Sequence, residues 1–197
     1  VERSLAAQRT RATEEIEALV EAGMRVMRAR GASGLTVADV LREAGLSTRA
    51  FYRHFRTKDE LVLAIYEREA VRAHARLRER MAAARSPGEA VEAWIDATLS
   101  LAFDPRRARR TRVLAAEGGR LQAEHPAEFA RILDGLLEPL ATALRGLSGT
   151  DPTRDARSIY AVTWGLVAEK LAGGSVTFEE ARAHVRRFCL PAVGMAP

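Results

Sequence analysis

The sequence predicts an all-α fold of about nine helices, and three observations predict it. Helix-start signals recur at short intervals, apolar residues between them fall three and four apart, and no segment keeps the two-residue alternation of a strand. At 197 residues, with 47% hydrophobic and 29% charged side chains, the composition suits a soluble globular chain rather than a disordered one.

The helices are expected at residues 10–30, 36–44, 47–54, 58–84, 87–103, 105–123, 126–146, 152–172 and 178–190. The first carries Ile16, Leu19, Val20, Gly23, Val26 and Met27 on one stripe and stops at Gly31. Thr36 opens the second, with Asp39 as a capping-box partner; Val37, Val40 and Leu41 pack inward, and Gly45 permits a sharp turn. Ser47 caps the third, which buries Phe51 and Phe55 and turns Thr48, Arg49, Tyr52 and Arg53 outward. Capping boxes at Thr57/Glu60, Ser86/Glu89 and Thr177/Glu180 start the fourth, fifth and ninth. Asp104-Pro105 and Asp151-Pro152 start the sixth and eighth, and His125-Pro126, a weaker signal, the seventh.

In the fifth helix Val91, Trp94, Ile95, Thr98 and Leu101 form a stripe; in the seventh Phe129, Ile132, Leu133, Leu136, Leu137, Leu140 and Leu144 do, with a kink expected at Pro139. Gly146 and the Gly173-Gly174 pair mark stops. The eighth helix has two apolar faces, Ile159/Val162/Leu166 and Tyr160/Trp164/Val167/Leu171, so it needs cover on both. The ninth adds Phe178, Ala181, Val185 and Phe188.

The net charge of +5 is unevenly placed: residues 1–85 hold 17 basic and 12 acidic side chains, residues 86–197 hold 14 of each. A basic front on a neutral body suggests a polyanion-binding module joined to a second activity. Of the basic residues 29 are Arg, and only Lys58 and Lys170 are Lys. The single cysteine, Cys189, excludes an intrachain disulfide and a multi-thiolate metal site, and sits on a core stripe as a small hydrophobe. No apolar run approaches the ~20 residues of a membrane span, and VERSLAAQRTR lacks the apolar core of a signal peptide, so a cytoplasmic location is expected.

The outward face of helix 47–54 carries hydroxyls, a phenol and two guanidiniums with no carboxylate, as a helix against phosphates and base edges requires. A helical hairpin with a merely solvated polar face has the same spacing. The segment Leu35–Leu61, LTVADVLREAGLSTRAFYRHFRTKDEL, resembles the N-terminal domain of TetR-family transcriptional regulators. The likeness rests on Thr36 opening the second helix, the Ala44-Gly45-Leu46-Ser47 turn, Tyr52-Arg53-His54-Phe55 and Lys58-Asp59-Glu60-Leu61. It implies phosphate contacts from Thr36, His54 and Lys58, backbone contacts from Ser47 and Thr48, and base or phosphate contacts from Arg49 and Tyr52 flanked by Arg53. Arg49 stands where the family often has Gly, Ala50 where it has Thr or Ser, and Leu41 where it commonly has Ala. Arg49 either places a bidentate donor on guanine, worth about 1–3 kcal/mol of discrimination, or binds a phosphate.

The resemblance further implies residues 1–57 as the DNA-binding domain, 58–85 as a connecting helix, and 86–197 as a dimerisation and effector domain. Tyr160, Val167, Leu171, Val185 and Phe188 are the interface candidates. Trp94, Leu101, Phe103, Leu114, Glu117, Phe129, Leu133 and Trp164 are pocket candidates, though such stripes are more often core, and Glu117 beside Gly118-Gly119 also fits a frayed helix end. Arg106, Arg107, Arg109, Arg110 and Arg112 crowd a helix start, where the dipole disfavours them; an anionic effector, acidic partner side chains or DNA would each offset this, with partner side chains preferred.

The expected whole is a homodimeric repressor on a pseudo-palindromic duplex operator, released by an unidentified small molecule, with no cofactor or metal. A helical enzyme is the rival class, but no His has Glu three residues before it or directly after it, and no G-x-G-x-x-G or G-K-[ST] occurs. A non-specific architectural DNA-binding protein would be basic throughout, which the neutral body is not.

Overall fold

The structure, a computed structural model, describes residues 2–31, 33–147 and 149–196. The described residues form nine α-helices and no strand: α1 (Glu2–Arg30), α2 (Val37–Ala44), α3 (Thr48–His54), α4 (Lys58–Met81), α5 (Pro87–Phe103), α6 (Pro105–Glu124), α7 (Pro126–Leu144), α8 (Pro152–Leu171) and α9 (Phe178–Cys189). A 3-10 turn, Pro191–Val193, follows.

Local chemistry sets most boundaries. Thr36, Ser47, Ser86 and Thr177 each accept a backbone N–H three residues on, and at Thr177 the Glu180 carboxylate returns the bond to complete the box. At Ser86 the partner carboxylate of Glu89 reaches the N–H of Arg85 instead, at 2.8 Å. Asp104 Oδ1 accepts from the N–H groups of Arg106 and Arg107, and His125 makes no side-chain cap.

Where structure and spacing differ, the cause is local. The first helix begins at Glu2 rather than residue 10; residues 6–11 are exposed and set no apolar period that would mark the earlier start. Ile16, expected on the buried stripe, is exposed. α4 ends at Met81, short of residue 84. α8 buries one stripe, Ala156, Ile159, Thr163, Val167 and Leu171, with Thr163 made apolar in effect by donating its hydroxyl to the Ile159 carbonyl at 2.7 Å.

The chain divides into two compact units, Val1–Glu69 and Ala70–Pro197, and the division falls within α4. In the first unit α1, α2, α3 and the start of α4 enclose Leu19, Met24, Met27, Leu35, Val40, Phe51, Leu61 and Ile65. Gly23 lets α1 approach α4 closely, since a Cβ there would meet Ile65 Cδ1 at 2.7 Å. Gly45, at φ +67°, makes the left-handed turn between α2 and α3.

In the second unit α5 is central and packs on α6, α7, α8 and α9. Its core holds Trp94, Ile95, Leu99, Leu140, Leu144, Ile159, Val167 and Val185, with Cys189 buried and its thiol pushed up by that burial. Pro139 lies inside α7, which continues to Leu144. Proline supplies no N–H to the carbonyl four residues back. That carbonyl, of Gly135, instead accepts from Nδ1 of His74 on α4 at 2.5 Å, so His74 carries its proton on Nδ1. Arg182 pairs with Asp96 at 2.7 Å and Arg186 pairs with Glu92, tying α9 to α5.

Candidate nucleic-acid interface

α2 and α3 meet in a turn of three residues, Gly45–Ser47, with the extended backbone of Ser47 and its Oγ satisfying the Ala50 N–H at 3.2 Å. Phe51 packs inward and touches the Phe55 ring, centroids 5.7 Å apart, which fixes the roll of the seven-residue α3. The opposite side carries Thr48, Arg49, Tyr52 and Arg53, all exposed, Tyr52 by 59%. No carboxylate lies on this face, and the hydroxyl of Ser47 sits at its N-terminal edge. Lys58, the first residue of α4, is half-buried.

Thr36 is exposed, but its hydroxyl is engaged: it accepts the Asp39 N–H and donates to Asp39 Oδ2 at 2.7 Å. Asp39 is itself nearly buried and also receives Arg30 at 2.6 Å and Arg42 at 2.8 Å. The Thr36 hydrogen bond, then the two guanidiniums, hold its carboxyl below the usual carboxylate range against the effect of burial.

His54 does not reach the outward face. Its side chain is 7% exposed, and Nε2 lies 2.7 Å from Oε2 of Glu15 on α1. The same oxygen receives Arg53 at 2.9 Å, and Oε1 receives Arg11 at 3.2 Å. The His54 bond, followed by the Arg11 bond and the Arg53 charge, keeps the Glu15 carboxyl below its usual range although burial opposes this. Sequence reading passed over Glu15. Its signal was position: it lies four residues before Leu19, on the buried stripe of α1.

The remaining candidates scatter. Trp94 is fully buried, with Nε1 lacking a hydrogen-bond partner. Leu133 packs on the core, and Phe103 meets Phe178 edge-on at 5.6 Å beneath Lys170. Trp164 stacks on Tyr160 at 5.8 Å; Leu101, Leu114 and Phe129 are half-buried. Burial alone pushes the Tyr160 hydroxyl up to about 12. Glu117 is not at a frayed end: α6 runs through Gly118 and Gly119 to Glu124, and the carboxylate pairs with Arg120 at 2.9 Å. A surface depression of about 300 Å³ on α9, lined by Glu179, Arg182, Ala183, Arg186 and Arg187, includes none of these eight residues.

Of the interface candidates, Val167 and Leu171 on α8 and Val185 on α9 lie inside the second unit's own core; on α8 the buried stripe runs through Ala156 and Thr163, off the register that apolar spacing gave. Phe188 points outward, 66% exposed, its ring parallel to that of His184. Within the 106–112 cluster Arg107 donates to Ser100 Oγ at 2.7 Å, and Arg112 Nε to the Leu171 carbonyl at the end of α8 at 3.0 Å.

Residues 19–65 match the family described as bacterial regulatory proteins, tetR family. The HTH-type transcriptional regulator CymR of Pseudomonas putida is 35% identical over 89 residues, 45% of this chain and 44% of that protein, so the match spans less than half of either. A solved structure from Mesorhizobium loti, assigned to the TetR-family transcriptional regulators, superposes at a TM-score of 0.70 with 17% identity, covering 93% of this chain and 96% of that one. The transcriptional regulator FadR of Bacillus subtilis, in complex with stearoyl-CoA, gives 0.69 at 17% identity over 88% and 96%. At these identities the structural likeness is one of fold.

Proposed function

We propose that this chain, whose residues 19–65 match the TetR family of bacterial regulatory proteins, is a TetR-family ligand-responsive repressor that binds a pseudo-palindromic operator as a homodimer. The observation that carries the reading is the carboxylate-free outer face of α3, while Glu15 and Asp39 are turned inward. α3 enters the major groove, with Arg49 and Tyr52 at base edges or adjacent phosphates and Arg53 beside them. Ser47 and Thr48 meet the backbone at its start, Thr36 lies at the start of α2, and Lys58 meets a phosphate from the first turn of α4. His54 acts from behind, through Glu15.

Dimerisation uses the outward faces of α8 and α9, where Phe188 is exposed and Ala161, Gly165 and Ala168 allow close approach. The second unit takes an effector of small-molecule size, a role supported by the stearoyl-CoA bound to a protein of the same fold. The effector releases DNA to the extent that it binds the DNA-free arrangement more tightly. Among the described residues no helix is long and apolar enough to cross a membrane, which fits action on DNA in the cytoplasm.

The test begins with duplexes enriched by the purified protein from a randomised pool. Arg49→Ala should weaken binding to the enriched duplex by about 5- to 150-fold and to unselected duplex far less. Lys58→Ala should weaken both alike and flatten the salt dependence by about one counterion. Identical profiles for the two variants would remove the assignment of α3 as the reading helix.

A further inference from the structure

The carboxylate of Glu15 is out of place for raw affinity. It lies at the back of the surface meant for a polyanion, it is 8% exposed, and it spends its charge on two arginines and a histidine. A near-buried carboxylate persists only when paired and hydrogen-bonded, and this one is, on both oxygens. Its oxygen Oε2 takes two consecutive residues, Arg53 and His54, which form the last turn of α3. α3 has seven residues, too few to hold itself as an isolated helix. Phe51 and Phe55 anchor it by apolar contact, which fixes depth but leaves tilt less determined; the Glu15 grip pins its C-terminal end to α1.

Arg53 shows the second consequence. Its side chain is half-exposed with one N–H on Glu15, which leaves further donors available from a restrained position. Without Glu15, the guanidiniums of Arg53 and Arg11 would lose their neutralising partner and gain freedom together. Both changes favour phosphate contact on any sequence, because such contact carries no base information.

Resting on the DNA-binding reading above, we propose that Glu15 is a positioning residue that sets sequence discrimination: it restrains Arg53 and the end of α3 against α1, lowering affinity for DNA at large while preserving it for the operator. It is an instance of specificity gained by a repulsive element.

The test uses the full chain as wild type, Glu15→Gln, Arg53→Gln and the double variant. Each is titrated by fluorescence anisotropy, over a series of salt concentrations, with a duplex enriched by the wild type from a randomised pool and with unselected duplexes of that pool. Glu15→Gln should bind the unselected duplexes about fivefold tighter, the scale of one partly exposed ion pair. Its slope of log affinity against log salt should steepen by about one, and its affinity for the enriched duplex should not rise. In the Arg53→Gln background the same substitution should change the ratio of the two affinities clearly less, because the larger part of the restraint acts through Arg53 and only the Arg11 and His54 contacts remain to be released.

A parallel loss on both duplexes with an unaltered salt slope would make Glu15 a structural support only and overturn the proposal. An equal effect with and without Arg53 would reduce it to a bulk charge and also overturn it. Should Glu15→Gln fail to fold, Arg53→Gln decides alone: it must weaken the enriched duplex more than the unselected ones, and equal weakening refutes the idea. A wild-type chain that enriches no duplex overturns the DNA-binding reading itself, an outcome distinct from all of these.

Discussion

Replacing Pro139 by Ala should stabilise the second unit, and in doing so make His74 dispensable. Proline in a helix interior is about 3 kcal/mol less favourable than alanine. The Pro139 ring is buried, and alanine loses two of its methylene groups, at about 0.8 kcal/mol each. The net gain is about 1.4 kcal/mol, a tenfold shift in the folding equilibrium. The new N–H at position 139 would then reach the Gly135 carbonyl that His74 now serves. His74→Ala should therefore cost about 1 kcal/mol in the wild type and close to nothing beside Ala at position 139. Urea unfolding followed by tryptophan fluorescence isolates the effect, because Trp94 and Trp164, the two tryptophans of the chain, both lie in the second unit. An equal cost of His74→Ala in both backgrounds would refute the claim that His74 replaces the bond proline cannot make.

Three further outcomes are expected. Phe51→Ala removes a fully buried ring beneath α3 and should cost about 3–5 kcal/mol, read as a lowered melting transition of the first unit by calorimetry. Glu15 and Asp39 have folded-state values depressed below 4.5 and 3.8, so their contribution is complete above those values and is lost as pH falls through the lower folded ones. The first unit should thus lose stability on the acid side of about pH 4, and a Glu15→Gln/Asp39→Asn double variant showing the wild-type acid limb would contradict this. Phe188→Asp should leave circular dichroism unchanged, since the ring is exposed, yet lower the sedimentation coefficient of the proposed dimer to that of a monomer; a wild-type monomer would overturn the dimer, and a dimer surviving the substitution would move the interface elsewhere.

The helix-turn-helix was legible because its signals are local. Thr36, Ser47 and Gly45 act within three or four residues of themselves, and a cap or a left-handed turn needs no knowledge of the rest of the fold. The outward set Thr48, Arg49, Tyr52 and Arg53 followed from helical period alone. His54 misled for the opposite reason: its partner Glu15 stands 39 residues away, and no spacing rule connects them. In α8 the stripe was misregistered because Thr163 counts as polar on paper and as apolar once its hydroxyl bonds its own helix. The pocket candidates were weakest, since period places a side chain inward without saying whether it meets a ligand or a neighbour. Trp94 and Leu133 met neighbours.

The scarcity of lysine has a practical consequence. With arginine supplying almost every cation, the chain has two side-chain amines, Lys58 at the head of α4 and Lys170 above the Phe103 ring. They fall one in each unit. An acylating reagent therefore writes two separate side-chain marks: modification at Lys58 reports on the first unit, where nucleic acid is proposed to bind, and modification at Lys170 reports on the second. Mass spectrometry of two peptides, before and after adding duplex or a candidate metabolite, would say which half of the molecule each one covers.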